Sequence, residues 1–518
     1  MPNLREIYLG GQTISDISPL KFCTNLTNIQ IIKCPDITDI SPLANCAEIW
    51  EFQSYDSGIT DISILAELPK LTNLMLSGQV DLSPLGDMAA LKSVLLFNLP
   101  FSSLEILKDK PALSELIIRG MQFESLEVIE QLNALQNLDI SYTAVKDFSP
   151  LIGHAALKRF EMDSSMEQYI PGLDRKDIQV FVETQEGKKF VFNEVLIEKA
   201  VRLNLGLNDN QIITEDALAT VRELYIINSE IFPSWESYMN YIGWEGHHCA
   251  KDGYGQNEIS SLADLSAMKS LTKLAVISQN ISNVAPLSDL PLEYLALCNN
   301  PIWEADLAPL KNCPRLRALY LDGTNLSDLS ELSDFSLIRA LSIRDTKVTS
   351  LQPLEGMQIE SLILPTGIED ISPLSTLPLK ELNLRAYPDA IDFICSLSGL
   401  ETLHYGESSI DRLEPFTRLK NLKKLILFGN RLTNLEGVQL IPGLRQLTIS
   451  GINNPPADIS AISNHPTLES LKIDGCPIND LSPLFELPKL HLLVIDSKQE
   501  ISLKTIDPSP SFKVDIRN

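Results

Sequence analysis

The chain has 518 residues, 44% of them hydrophobic but only 6% aromatic, and a formal net charge of −26. Such an excess of acid argues against nucleic acid or an anionic membrane surface as a partner. No run approaches the stretch of about eighteen apolar residues that a membrane-spanning helix needs, and the eight cysteines show no spacing of a disulfide framework or zinc site.

The length is far beyond one ordinary domain, yet a single phrase recurs along it. LQNLDISYTAVKDFSPL starts at Leu135, LTNIQIIKCPDITDISPL at Leu26, LRALYLDGTNLSDLSEL at Leu316 and LESLKIDGCPINDLSPL at Leu468. The period is about 22 residues, which signals stacked coils rather than one globular core. In Leu135-x-x-Leu138-x-Ile140 the last two apolar residues alternate with polar ones, as in a strand with one buried face. Downstream, Asp147 and Ser149 are placed to accept backbone N–H groups. Pro150 suits the first turn of a short 3₁₀ or α segment. One coil cannot bury its apolar edge alone, so a row of coils shares one core and one parallel sheet.

In chain order, residues 1–163 form a first array, with strands opening at Leu4, Leu26, Ile49, Leu71, Leu91, Leu113, Leu135 and Leu157. Residues 164–192 break the repeat; two alternating runs around Gln185-Glu186-Gly187 predict a β-hairpin connector. Over 193–220, Asn193 is placed to cap a helix carrying Val195, Leu196, Ala200 and Leu203 and ended by Gly206. Thr214 is placed to cap a second helix. These helices predict an end cap for a second array over 221–495, whose strands open at Val221, Leu271, Leu292, Leu316, Ile338, Ile359, Leu379, Leu400, Leu422, Leu444, Leu468 and Leu490. The interval between the first two of these is one repeat plus an insertion over 232–258. Residues 496–518 form a tail with one short strand, predicted at 512–516, that covers the last coil.

The cysteines fall in repeat slots. Cys23, Cys46 and Cys313 precede strands at one common position, and Cys34 and Cys476 stand where other coils have Asn300 or Asn430, so they read as small buried thiols. Cys23 and Cys46 share one column of adjacent coils, where a bridge is conceivable and reduced thiols are expected.

Phrases of the form L-x-x-L-x-L-x-x-N-x-I-x-D-I-S-P-L resemble the internalin-type leucine-rich repeats of bacterial proteins, and AVRLNLGLNDNQIITEDALATVRELYI, from Ala200, resembles the helical cap that precedes such arrays. The resemblance covers some four-fifths of the chain. It implies an α/β solenoid: tandem leucine-rich repeat arrays, each with a parallel β-sheet on the concave side and short 3₁₀ or α turns on the convex side, with an internal helical cap. It also implies a non-enzymatic protein–protein interaction scaffold that binds through the concave sheet. The family's best-known members act on host cell surfaces. The opening MPNLREIYLGG shows no secretion signal and the end shows no wall-anchoring motif, so the expected location is cytoplasmic, with a secreted or cell-surface adhesin as the alternative if the start is truncated.

Residues between the strand leucines point to the concave face. The central position of each strand makes one stripe of Tyr8, Gln30, Gln53, Met75, Leu95, Ile117, Asp139 and Glu161. The other is Tyr225, Ala275, Ala296, Tyr320, Ser342, Ile363, Asn383, His404, Ile426, Thr448, Lys472 and Val494. Met75, Leu95 and Ile117, with Phe97 beside them, form an apolar section fit for contact, and Tyr225 and Tyr320 are aromatic candidates on the second stripe. Near Asp139, Arg159, Glu161 and Asp163 the first stripe becomes a charged, solvated face. The insertion concentrates Trp235, Tyr238, Tyr241, Trp244 and Tyr254, large side chains that suit a binding loop projecting from the rim; the competing reading is a loop packed on itself. His247-His248-Cys249 would serve a metal-dependent enzyme centred on the insertion, but adjacent residues rarely chelate one ion and no partner pair lies nearby, so no metal or other cofactor is expected. No nucleophile-elbow, zincin, phosphate-loop or kinase signature occurs, and catalysis has no support.

Overall fold

The structure is a computed structural model that describes residues 3–11, 14–185, 187–242, 258–451, 458–473, 480, 482–496 and 513–517. It divides into two compact units, Met1–Thr220 with Ala263–Ala267, and Val221–Leu262 with Met268–Asn518.

The first unit carries a ten-stranded sheet in strict chain order. Strands from Glu6–Gly10 to Arg159–Asp163 run parallel, one per coil, and pair without shift. The expected stripe is therefore one ladder: Gln53 pairs with Met75, Met75 with Leu95 and Leu95 with Ile117. Leucines and isoleucines at the alternate positions, such as Leu74, Leu76, Leu138 and Ile140, are buried in one continuous core. The expected hairpin forms, and its two strands finish the sheet. Gln179–Thr184 adds in parallel as the ninth strand, and Gly187–Val191 closes the edge antiparallel.

Opposite the sheet, each coil turns through a short 3₁₀ segment such as Ser41–Asn45 or Ser149–Leu151, with proline in its first turn. An aspartate two residues ahead of the serine accepts its backbone N–H, at 2.8 Å for Asp39 and Ser41 and 2.8 Å for Asp147 and Ser149. A second recurrent slot lies after that turn and holds a side chain that reaches back to a carbonyl of the preceding coil. Cys46 Sγ lies 3.4 Å from Leu20 O, Lys110 Nζ 2.6 Å from Leu85 O, His154 Nε2 3.0 Å from Leu132 O, and Arg175 Nη1 3.1 Å from His154 O. Thiol, ammonium, imidazole and guanidinium all solve the same problem there, a buried carbonyl that gains from a donor. The cysteines Cys23, Cys34, Cys46, Cys298, Cys313 and Cys395 are free and buried. Cys34 Sγ lies 3.5 Å from Leu9 O, in the slot where Asn300 donates to Val276 O at 2.8 Å and accepts from Ile281 N at 3.0 Å.

The two short helices, Val195–Leu205 and Glu215–Leu218, cluster with this first sheet. Gly206 ends the longer one in the left-handed region at φ 67°, and the Thr214 hydroxyl accepts from Ala217 N at 3.3 Å, both as expected. Asn193, expected as the cap, is not. The N-cap residue is Glu194, without a side-chain cap, and the backbone N–H groups of Asn193 and Glu194 donate to the carboxylate of Asp264 at 3.1 and 3.0 Å. Burial raises that carboxyl to about 7. The helix also buries a different face from the one expected: Leu196, Ile197, Ala200 and Val201 go inside, while Val195 and Leu203 are exposed.

The second unit holds a fourteen-stranded sheet. Parallel strands follow one another from Glu223–Ile227 to Leu492–Asp496, and the tail strand Lys513–Arg517 joins the last of them in parallel. The second stripe is again in register, from Tyr225 opposite Ala275 to Asn383 opposite His404 and Lys472 opposite Val494. At the other edge Glu230–Phe232 folds back antiparallel on Glu223–Ile227. The insertion then continues as a helix, Trp235–Ile242.

Candidate binding surfaces

On the first unit, Met75, Leu95, Ile117 and Phe97 are half-buried and stand side by side on the open sheet face, over a core that fills its other side. The ring of Tyr55 meets Phe97 edge-on at 6.3 Å. A hollow of about 160 Å³ lies here, with Met75 and Leu95 as its apolar floor and Gln53, Asn73 and Ser93 around it. Glu51 and Glu115 flank it. Glu51 accepts from Gln53 Nε2 at 2.6 Å and from Asn28, and Glu115 accepts from Ser93 Oγ at 2.5 Å.

Further along the same face the charges are not a solvated surface. Arg119 donates to Asp139 at 2.7 Å and lies 3.1 Å from Glu183; Arg159 donates to Glu161 at 2.5 Å and grips both oxygens of Glu215 at 2.9 and 2.8 Å. Lys188 of the hairpin adds a 2.5 Å bond to Glu161, and the Arg159 guanidinium lies 3.9 Å from the centre of the Phe181 ring. Asp139 and Asp163 are buried. Carboxylates neighbour one another on these rungs, Asp139 beside Glu161 and Asp163 beside Glu183, and Arg119, Arg159 and Lys188 reach across to them, so the face is a network of ion pairs rather than a row of free charges.

On the second unit the insertion's aromatics occupy the sheet face. Tyr238 is fully buried and stacks on Tyr225 with ring centres 4.8 Å apart and planes 10° apart; its hydroxyl lies 2.9 Å from that of Tyr294. Trp235 stands edge-on to Tyr294 at 4.8 Å with Lys273 Nζ 4.4 Å over its ring, and Tyr320 lies 5.2 Å from Tyr294. Ala275 and Ala296 belong to the same buried cluster. Rather than projecting from the rim, the described part of the insertion folds onto the sheet, because a face with two alanines at its centre leaves room for large rings that water would otherwise meet. Tyr225 and Tyr238, expected as contact residues, are thereby withdrawn from solvent. Trp235 and Tyr320 are half-buried and Tyr241 is exposed at 52%. Trp244, Tyr254 and His247-His248-Cys249 lie outside the described residues.

Beyond this cluster the sheet face opens into a hollow of about 270 Å³ lined by Arg344, Asn383, Arg385, His404, Ile426, Phe428, Thr448 and Ser450. Arg385 is held by Asp345 at 2.6 Å, and His404 is buried with its Nδ1 3.4 Å from Asn383 Nδ2. A methyl at Gly406 would fall about 2.0 Å from the Phe428 ring, so the glycine makes room for that wall. Sequence reasoning missed Glu51, Glu115, Arg344, Arg385 and Phe428 because it followed the central position of each strand and took up its neighbours only around Leu95 and Glu161. The positions two residues to either side face the same way and form two further columns, which was the available signal. Among the described residues no helix is long and apolar enough to cross a membrane, and no group of three or more His, Cys, Asp or Glu is placed to hold a metal ion.

No family model matches the chain. It is 29% identical over 161 residues to the geranylgeranyl transferase type-2 subunit alpha of Bos taurus, covering 30% of this chain and 25% of that one. It is 30% identical over 217 residues to leucine-rich repeat-containing protein 23 of Homo sapiens, covering 36% of this chain and 62% of the other. The chain thus spans less than two thirds of the length of either curated relative. Among solved structures it is similar to an internalin of Listeria monocytogenes at 18% identity, with 87% of each chain covered and a TM-score of 0.29. It is also similar to the protein of a TLR13–ssRNA13 complex at 18% identity, with 94% of this chain and 68% of that one covered and a TM-score of 0.37.

Proposed function

We propose that this chain, whose coils stack as leucine-rich repeats, is a non-catalytic scaffold that captures a partner protein on its open sheet faces. One observation carries the reading: Met75, Leu95 and Ile117 stand on three successive rungs, with Phe97 beside them, and all four are only half-buried, so each keeps part of its apolar surface exposed. A repeat of this kind can place any residue type at these positions, because they contribute nothing to the core. Contiguous apolar side chains there are hydrated at a free-energy cost in the free protein, and that cost is relieved when a partner covers them. The net charge of −26 and the carboxylates of the face favour a protein over a nucleic acid. The aromatic cluster of the second unit, with Tyr241 exposed on it, serves as a wall beside the second open face rather than as a projecting loop. Free, buried cysteines support work in a reducing compartment such as the cytoplasm.

The test is a photo-reactive phenylalanine analogue placed at position 95, with the same analogue at Phe22, an exposed ring on the 3₁₀ side, as the control. Irradiation in native lysate should yield one discrete protein adduct from position 95 and none shared with position 22. Identical adducts from both, or none from position 95, would remove the sheet face from the proposal.

A further inference from the structure

We propose that the hollow between Glu51 and Glu115 takes an extended basic–apolar–basic segment of a partner protein, running across the strands; this rests on the reading of the first sheet face as a contact surface. The two carboxylates belong to one column, in which Glu51 pairs with Asn73, Asn73 with Ser93 and Ser93 with Glu115. Three strand spacings therefore separate them, about 14 Å. Between them lie the side chains of Met75 and Leu95.

The charges of the two glutamates are uncompensated. Both accept hydrogen bonds from neutral side chains only, Asn28 and Gln53 for Glu51 and Ser93 for Glu115, and among the described residues neither forms an ion pair. The carboxylates a few rungs on differ: Asp139, Glu161 and Glu183 each face an arginine. The hollow therefore offers negative charge and apolar surface together, with no cation paired to either of its glutamates among the described residues.

Spacing selects the ligand's conformation. In an extended chain, residues i and i+4 lie on one side about 13 Å apart, with i+2 midway. Basic side chains at i and i+4 then meet Glu51 and Glu115 while an apolar side chain at i+2 rests on Met75 and Leu95. In a helix the same two residues are only about 6 Å apart along the axis and cannot reach both carboxylates. Lysine and arginine suit the outer positions, since their aliphatic stems cover the apolar floor while the charged head reaches the rim.

The experiment uses the full chain and a fluorescein-labelled peptide with the core Arg-Ser-Leu-Ser-Arg, followed by anisotropy. Controls replace both arginines by glutamate, or close the spacing to Arg-Leu-Arg. Binding of the first peptide should weaken about threefold for Glu51→Gln and for Glu115→Gln and about tenfold for the pair, in line with exposed charge pairs. It should weaken with added salt and be unmoved by Glu6→Gln, a carboxylate outside the hollow. The thermal transition of Glu51→Gln/Glu115→Gln should match the wild type, because glutamine keeps an acceptor for the neutral neighbours. Equal binding by the double variant, or by the close-spaced peptide, would overturn the inference. Should position 95 still cross-link its partner undiminished in the double variant, the sheet face would stand as the contact surface while this ligand class fell. Loss of cross-linking from position 95 in the wild type would sink the functional reading instead.

Discussion

Replacing Tyr238 by alanine should release the helix Trp235–Ile242 from the sheet while leaving the coils stacked. The side chain is fully buried, stacks on Tyr225 at 4.8 Å, meets Trp235 and Tyr294 at 5.8 and 6.2 Å, and shares a 2.9 Å hydroxyl contact with Tyr294. Truncating a buried aromatic residue to alanine costs about 3–5 kcal/mol. An eight-residue helix has almost no stability of its own in water, so that loss falls on its docking rather than on the solenoid. Amide hydrogen exchange over 235–242 should therefore accelerate by about two to three and a half decades in Tyr238→Ala. Exchange in distant strands such as Thr402–Gly406 should be unchanged. Tyr238→Phe removes only the hydroxyl contact and should accelerate exchange by less than about one decade. Unaltered exchange over 235–242 in Tyr238→Ala would refute the packing described here.

Lys110→Met should stabilise the first unit by about 1 kcal/mol, read as a raised urea midpoint. Lys110 is buried, burial lowers its pKa, and Met88 fills the equivalent slot one coil earlier. The carbonyls it serves keep backbone donors, Met88 N to Leu85 O at 3.1 Å and Leu91 N to Met88 O at 3.4 Å, so neither is orphaned. Because the folded state holds this proton less tightly than the unfolded chain, the wild type should gain stability as pH rises toward 10.5, and Lys110→Met should lose that gain. In acid, stability should fall in two steps. Burial lowers the pKa of His465, so the unfolded chain takes up that proton first and stability drops below about pH 6.5, a step that His465→Asn should remove. Below 3.8 a second fall follows as Asp16, Asp61, Asp147 and Asp458, held low by the backbone N–H of the serine two residues on, and Asp39, Asp328, Asp370 and Asp480, held low by its hydroxyl, are protonated. Urea midpoints that rise on acidification would contradict both assignments.

The stacking was legible because it depends on a local pattern repeated many times. Leu138 and Ile140 point inward for the same steric reason in every coil, and once the strands align, the pairing of Met75 with Leu95 follows. The fold of the insertion was not legible, since its aromatics satisfy a projecting loop and a packed one equally well by composition. What decides the matter is Ala275 and Ala296, two small neighbours at the centre of the sheet face, and they belong to other coils. The start of the helix Val195–Leu205 failed for a similar reason: Asp264 supplies the carboxylate from 70 residues away, which no local capping rule can see. Glu51 and Glu115 look like ordinary surface acids until the register brings them to opposite ends of one apolar hollow.

The most direct test of the account is the affinity of the protein captured at position 95, measured by calorimetric titration against wild type, Leu95→Asp and Phe22→Asp. A buried aspartate at the centre of a contact surface should weaken binding by about thirtyfold or more, while Phe22→Asp, on the 3₁₀ side, leaves it unchanged. Equal affinities for all three proteins would contradict the claim that the open face of the first sheet is where this chain holds its partner.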